Sequence, residues 1–201
     1  MQSLVILPLA TTIATPVALV QKTDTVPVVL FQKLHTVAPL FAALNQADEA
    51  KAKTLQMQAD TIDTFLKGRN SPLAGKGMAF AIAAANNHLN YRLLVAIAGR
   101  ESTFARNECQ KVSFNPFGWN SCHTGFESYD DAINSISEHL GGNNENTDQY
   151  YADKTTEQIL KKYNSVIPKY AKQVIKIMDM IGPADITPPD TKTTDTTNHE
   201  A

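Results

Sequence analysis

The stretch from Asn90 to about Ala105 constrains this chain more than any other. Its hydrophobic spacing predicts one helix. At 3.6 residues per turn, Leu94, Ile97, Ala98 and Ala105 share a side, and Glu101 lies in the middle of that side. A heptad step drifts by only about 20°, so Glu101 stands almost directly above Leu94. Its neighbours three and four residues away are Ile97, Ala98, Phe104 and Ala105, none of them basic. No local ion pair therefore accounts for the carboxylate. A lone carboxyl group on an apolar helix face is expected to resist ionisation. That is the state a general acid needs near neutral pH. The plainer reading is a glutamate at the edge of the core whose carboxylate reaches water.

The chain has 201 residues, enough for one domain with flanking segments, and 43% of them are hydrophobic, enough for a substantial core. A net charge of −2 gives no electrostatic case for nucleic acid or for an anionic membrane surface. The five histidines include no pair with zinc-ligand spacing, and neither a metal nor an organic cofactor is implied. Residues 1–20 form a candidate signal or anchor segment, because Ser3 to Val20 carries no charge and is mostly Leu, Val, Ile, Ala and Thr. Pro8 and Pro16 interrupt it, and the first positive charge, Lys22, lies on its far side. The alternative is that Met1 is not the natural start. Export would place the protein in the cell envelope or outside the cell, with membrane association through the N-terminus. In that compartment Cys109 and Cys122 would form a disulfide; in the cytosol they would be two reduced thiols.

Along the chain, residues 21–70 read as an N-terminal helical spacer. Within it Leu40 to Leu66 predicts a helix with a thin stripe of Leu40, Leu44, Ala47, Leu55, Ile62 and Leu66, suited to a spacer or short coiled coil. Gly68 is its expected cap. Residues 71–181 form the expected compact domain, mainly α-helical. Met78 to Asn86 is an Ala-rich helix, and Asn86-Asn87-His88 breaks it. A loop from Arg106 to Phe126 holds both cysteines. Ser128 then caps a helix, with Asp131 in the capping-box position and Ala132, Ile133, Ile136 and Leu140 on its apolar face. Thr155 or Thr156 opens the next helix. The last spans Tyr170 to Ile181, with Tyr170, Val174, Ile177, Met178 and Ile181 inward, and Gly182-Pro183 stops it. Residues 182–201 are rich in Thr, Pro and Asp, and disorder is expected.

Four short motifs follow one another through 71–181. The run Leu93-Leu94-Val95-Ala96-Ile97-Ala98-Gly99-Arg100-Glu101-Ser102-Thr103-Phe104 resembles the catalytic helix of the lysozyme superfamily. It is most similar to that of soluble lytic transglycosylases and autolysin-type N-acetylglucosaminidases. Asn115-Pro116-Phe117-Gly118-Trp119 resembles the Asn-x-Phe-Gly motif of the glucosaminidases, and Phe126 to Ile133 resembles the start of their following helix. Lys162-Tyr163 and Pro168-Lys169-Tyr170-Ala171 resemble the segment that carries a cleft tyrosine. The resemblance implies a lysozyme-like helical domain with a loop-rich cleft that cleaves β-1,4-linked N-acetylamino sugars of bacterial peptidoglycan, its partner being the glycan strand. Glu101 would be the general acid. Ser102, Asn115, Phe117, Gly118, Trp119 and Tyr163 would bind substrate. Phe117, Trp119, Tyr163 and Tyr170 are candidates to stack on sugar rings or to pack in the core.

A second carboxylate would come from Glu108, Glu127, Asp130 or Asp131. The last two sit in a first helical turn, where acidic groups need no catalytic reason. With Glu101 alone, the substrate's N-acetyl oxygen would stabilise the oxocarbenium centre. A lytic transglycosylase would instead form a 1,6-anhydro end, but the Gly-Leu-Met-Gln segment usual in that group is replaced here by Phe117-Gly118-Trp119-Asn120. Two other readings compete: a non-catalytic glycan-binding or adaptor protein of the envelope, and a cysteine peptidase using Cys109 or Cys122 with His123.

Overall fold

The structure, a computed structural model, describes residues 28–186, with side chains from residue 44 onward. The expected signal segment and residues 187–201 of the tail lie outside the described residues. The chain divides into two units, Met1–Ala43 and Leu44–Ala201. Of the first, the described part is helical backbone from Val28. Among the described residues the protein is mainly helical and contains no strand. The elements are α1 (Val28–Lys67), α2 (Gly77–Asn86), α3 (Leu93–Ser102), α4 (Tyr129–Leu140), α5 (Asp148–Tyr151), α6 (Thr156–Tyr163) and α7 (Tyr170–Ile181). None is long and apolar enough to cross a membrane.

In the second unit α3 is the central element. It packs against α2, α4 and α7. Leu93 to Ala98 are all buried, so this helix is apolar all round rather than along one side. Only its last turn, from Gly99 to Glu101, reaches partial exposure. The helix is also shorter than its hydrophobic spacing predicts. Asn90 to Arg92 form a turn before it, and Thr103, Phe104 and Ala105 all have positive φ, at 54°, 59° and 64°. Ala105 therefore leaves the helical face that its spacing suggests.

The surrounding helices follow local rules. In α4, Ala132, Ile133, Ile136 and Leu140 are fully buried, and the Ser128 hydroxyl accepts from Asp131 N at 3.1 Å. Asp131 returns a bond to Glu127 N rather than to Ser128 N. Thr155 and Gln158 form a reciprocal capping box at the start of α6. On α7 the buried face is Tyr170, Ala171, Val174, Met178 and Ile181, with Ile177 only partly covered. α5 is a single turn with no expected counterpart in the sequence; it inserts Tyr151 into the core.

Long-range bonds close the unit. Ile62, Phe65 and Leu66 of α1 share the core with Leu73 and Phe104. From α1, Asp63 Oδ1 accepts from Gly75 N and Gly77 N at 2.8 and 3.0 Å, which caps α2 with a carboxylate at its positive end. The Ser71 hydroxyl donates to Phe104 O at 2.8 Å. At the other end of α3, Arg92 is only 6% exposed. Its Nη1 donates to Gly182 O at 2.8 Å and Met178 O at 3.3 Å, and Tyr91 donates to Pro183 O at 2.7 Å. Because of this clasp the chain stays packed beyond residue 182, where disorder was expected to begin, and Ile186 is buried in the core.

Candidate active site

The C-terminal turn of α3 opens into a cleft of about 790 Å³, within the range of small-molecule sites. Glu101, Ser102, Asn115, Gly118, Trp119 and Tyr163 all line it. Phe117 does not; it is fully buried beneath the wall. Glu101 is partly exposed. The remaining lining comes from Asn107, Glu108, Cys109, Asn120, Ser121, Cys122 and Asn164. The lining contains two carboxylates and no lysine or arginine.

Ser102 is buried, and its hydroxyl is committed to the backbone. It donates to Ala98 O at 2.9 Å and accepts from Ala105 N at 2.8 Å. The second bond holds the left-handed turn that follows the helix. Each such residue costs roughly 1–2 kcal/mol relative to a right-handed conformation. Here the turn lets the chain reverse immediately after Glu101, leaving that side chain on the cleft side.

Asn115 is likewise a brace. It is completely buried, its Nδ2 donates to Trp119 O at 3.0 Å and Thr124 O at 2.8 Å, and its Oδ1 accepts from Trp119 N at 3.0 Å. One amide side chain thus satisfies three backbone groups of a loop whose one regular element is the short 3-10 turn Trp119–Cys122. Between these bonds lies Gly118, at φ 64°. A methyl group there would come within 3.2 Å of Glu101 Oε2. Glycine is favoured both by the backbone angle and by the carboxylate above it.

The aromatic residues form a ladder. Tyr170 and Tyr163 stack with centroids 6.0 Å apart, Trp119 lies tilted 5.9 Å from Tyr163, and His139 stacks on Trp119 at 4.9 Å. The Tyr163 hydroxyl donates to Phe117 O at 2.6 Å, which fixes the backbone entering Gly118. Burial pushes the Tyr163 phenol well above its ordinary range, and the charges of Glu101 and Tyr151 add to this. The Tyr170 hydroxyl is buried with no partner in bonding geometry. Its proton is held on by burial first and then by Tyr163 and by Glu101, whose carboxylate is near without meeting it in a directed bond. Both phenols thus remain neutral. Burial lowers the pKa of His139, partly opposed by Glu138. Sequence reading missed His139, which belongs to α4 and touches the cleft only through Trp119.

Cys109 and Cys122 are bonded, which leaves no free thiol and excludes the cysteine-peptidase reading. Both half-cystines line the cleft wall. Such a bond persists in an oxidising compartment. Of the acidic alternatives, Asp130 pairs with Lys76 at 2.7 Å, Asp131 accepts from Glu127 N just ahead of α4, and Glu127 is exposed away from the lining; Glu108 alone joins Glu101 in the cleft. Asn107, Asn120, Ser121 and Asn164 carried no periodic signal that would have placed them there. No family model matches the chain, and no curated protein matches it.

Proposed function

We propose that this protein cleaves glycosidic bonds between β-1,4-linked N-acetylamino sugars of bacterial peptidoglycan, with residues 71–181 as a lysozyme-like catalytic domain and Glu101 as the general acid. The observation that carries this reading is the placement of Glu101. It emerges from a buried helix into a cleft whose lining offers it no cation. Cleavage of a glycosidic bond needs a carboxyl group beside the leaving oxygen, held where no guanidinium or ammonium locks it as an ion pair. Trp119 and Tyr163 supply ring faces in the same cleft, and Asn107, Asn120 and Asn164 supply amides for hydroxyl and acetamido groups. The absence of lysine and arginine from the lining suits a neutral glycan better than a phosphorylated or sulfated one. The disulfide supports export to the cell envelope or beyond.

The test is digestion of purified peptidoglycan, with mass spectrometry of the released sugars, comparing wild type with Glu101→Gln. Glu101-dependent fragments are expected, and loss of the acid should lower the rate by at least about 10²-fold. A reducing N-acetylglucosamine end identifies a glucosaminidase, a reducing N-acetylmuramic acid end a muramidase, and a 1,6-anhydro end a transglycosylase. A Glu101→Gln variant that cleaves at the wild-type rate overturns the assignment. Intact glycan after incubation with folded wild-type protein would favour a binding or adaptor role.

A further inference from the structure

Glu108 lines the same cleft as Glu101 and has no cationic partner among the described residues. Its Oε1 accepts from the Tyr129 hydroxyl at 3.0 Å. Its Oε2 is buried and accepts nothing. An acceptor left this way costs free energy unless a donor arrives. Oε2 is closed to solvent, but Glu108 borders the cleft, and Oε1, which the Tyr129 bond orients, keeps a second lone pair for a water or a hydroxyl of the bound ligand.

The surroundings hold the carboxylate in place. Tyr129 packs edge-on against Phe114 at 5.1 Å. Burial pushes its phenol up to about 12, and the bond to Glu108 adds to this, so it remains a donor throughout the neutral range. The next residue, Cys109, is tied to Cys122 across the loop. A surface glutamate needs none of these restraints.

We propose that Glu108 is the second carboxylate of the site, the base that takes a proton from the attacking water. The proposal rests on the glycosidase reading above. Water oxygen bonds to the anomeric carbon as that carbon's bond to the glycosidic oxygen breaks. The water's proton passes to Glu108, and the proton of Glu101 passes to the leaving oxygen. One direct attack inverts the anomeric centre. Tyr129 is a positioning residue that orients the base without touching substrate.

The experiment uses the full chain on purified peptidoglycan. Glu108→Gln is expected to lower cleavage by at least about 10²-fold, with the thermal midpoint unchanged. Glu108→Ala, supplied with sodium azide, is expected to recover cleavage and to yield a glycosyl azide of α configuration. There azide bonds to the anomeric carbon and needs no base, while Glu101 still protonates the leaving oxygen. A Glu108→Gln rate within about threefold of wild type overturns the proposal. So does a loss in Glu108→Ala that azide fails to repair, or a wild-type product with 1,6-anhydro ends. If wild type cleaves in a Glu101-dependent way and Glu108→Gln matches it, only this proposal falls. If folded wild type cleaves nothing, the glycosidase reading falls and takes this one with it.

Discussion

The helices around α3 and the loop that joins α3 to α4 are held by different kinds of interaction. In α4, α6 and α7 each turn satisfies its own backbone, α4 and α6 are capped by residues next in sequence, and burial of one face does the rest. The loop has none of this. Asn115, Ser102 and the Cys109–Cys122 bond satisfy and restrain it from the side. Among the described residues ten non-glycine residues have positive φ, and seven of them fall between Thr103 and Cys122. Strained backbone is therefore concentrated where the cleft is built, as expected where geometry serves a ligand rather than the core. The helices can lose a contact and relax; the loop holds a shape that its own residues do not prefer.

This contrast can be broken or sharpened in order of expected size. Ile136→Ala, deep in α4, should lower unfolding free energy by about 2–5 kcal/mol in urea titration while the folded fraction keeps its activity. Replacing both cysteines with serine should cost about 3 kcal/mol, and here activity should fall together with stability, because the bond is part of the cleft wall. Gly118→Ala should destabilise by only about 1–2 kcal/mol. Its rate should nevertheless fall by up to about 10²-fold, since the added methyl meets the Glu101 carboxylate. Lys76→Ala removes a half-exposed ion pair to Asp130 and should cost less than about 1 kcal/mol, with the rate unchanged. If Gly118→Ala proved harmless to activity, or Ile136→Ala lowered the rate of the folded protein, the division between scaffold and cleft would fail.

His139 links the two regions, and its titration has a definite sign. Its pKa in the folded protein is lowered, chiefly by burial, so the unfolded chain binds the proton more tightly. Stability then rises with pH through the histidine range. This contribution is fully present above the unfolded value of about 6.5 and is lost as pH falls toward the folded one. Thermal midpoints measured from pH 7.5 down to 5 should drop more in wild type than in His139→Gln.

Most of the helical part was legible in the sequence because its signals are local. The Ser128 and Thr155 caps, the 132–133–136–140 face and the Gly182-Pro183 stop each act within a few residues. The end of α3 was not legible, because Thr103, Phe104 and Ala105 take a left-handed turn with no glycine to announce it. α5 is too short to have a period. Within the cleft, the positions of Glu101, Gly118, Trp119 and Tyr163 could be anticipated from their motifs. Ser102 and Asn115 were expected to bind substrate, but their hydrogen bonds hold backbone instead. A side chain's type reveals what it can bond to; which partner it takes depends on a loop path that no periodicity records.

The clasp at the start of α3 has a consequence for the order in which the protein can be assembled. Arg92 enters the interior by donating to carbonyls about 90 residues later in the chain. During synthesis those acceptors do not exist until α7 and Gly182 have emerged from the ribosome. A guanidinium at that depth without them would be a buried charge with only Asn90 Oδ1 to bond. The central helix therefore cannot take its final seat while the chain is still growing through α6. Docking of its first turn waits for the last helix, and a nascent chain halted before Pro183 should remain open to protease at α3.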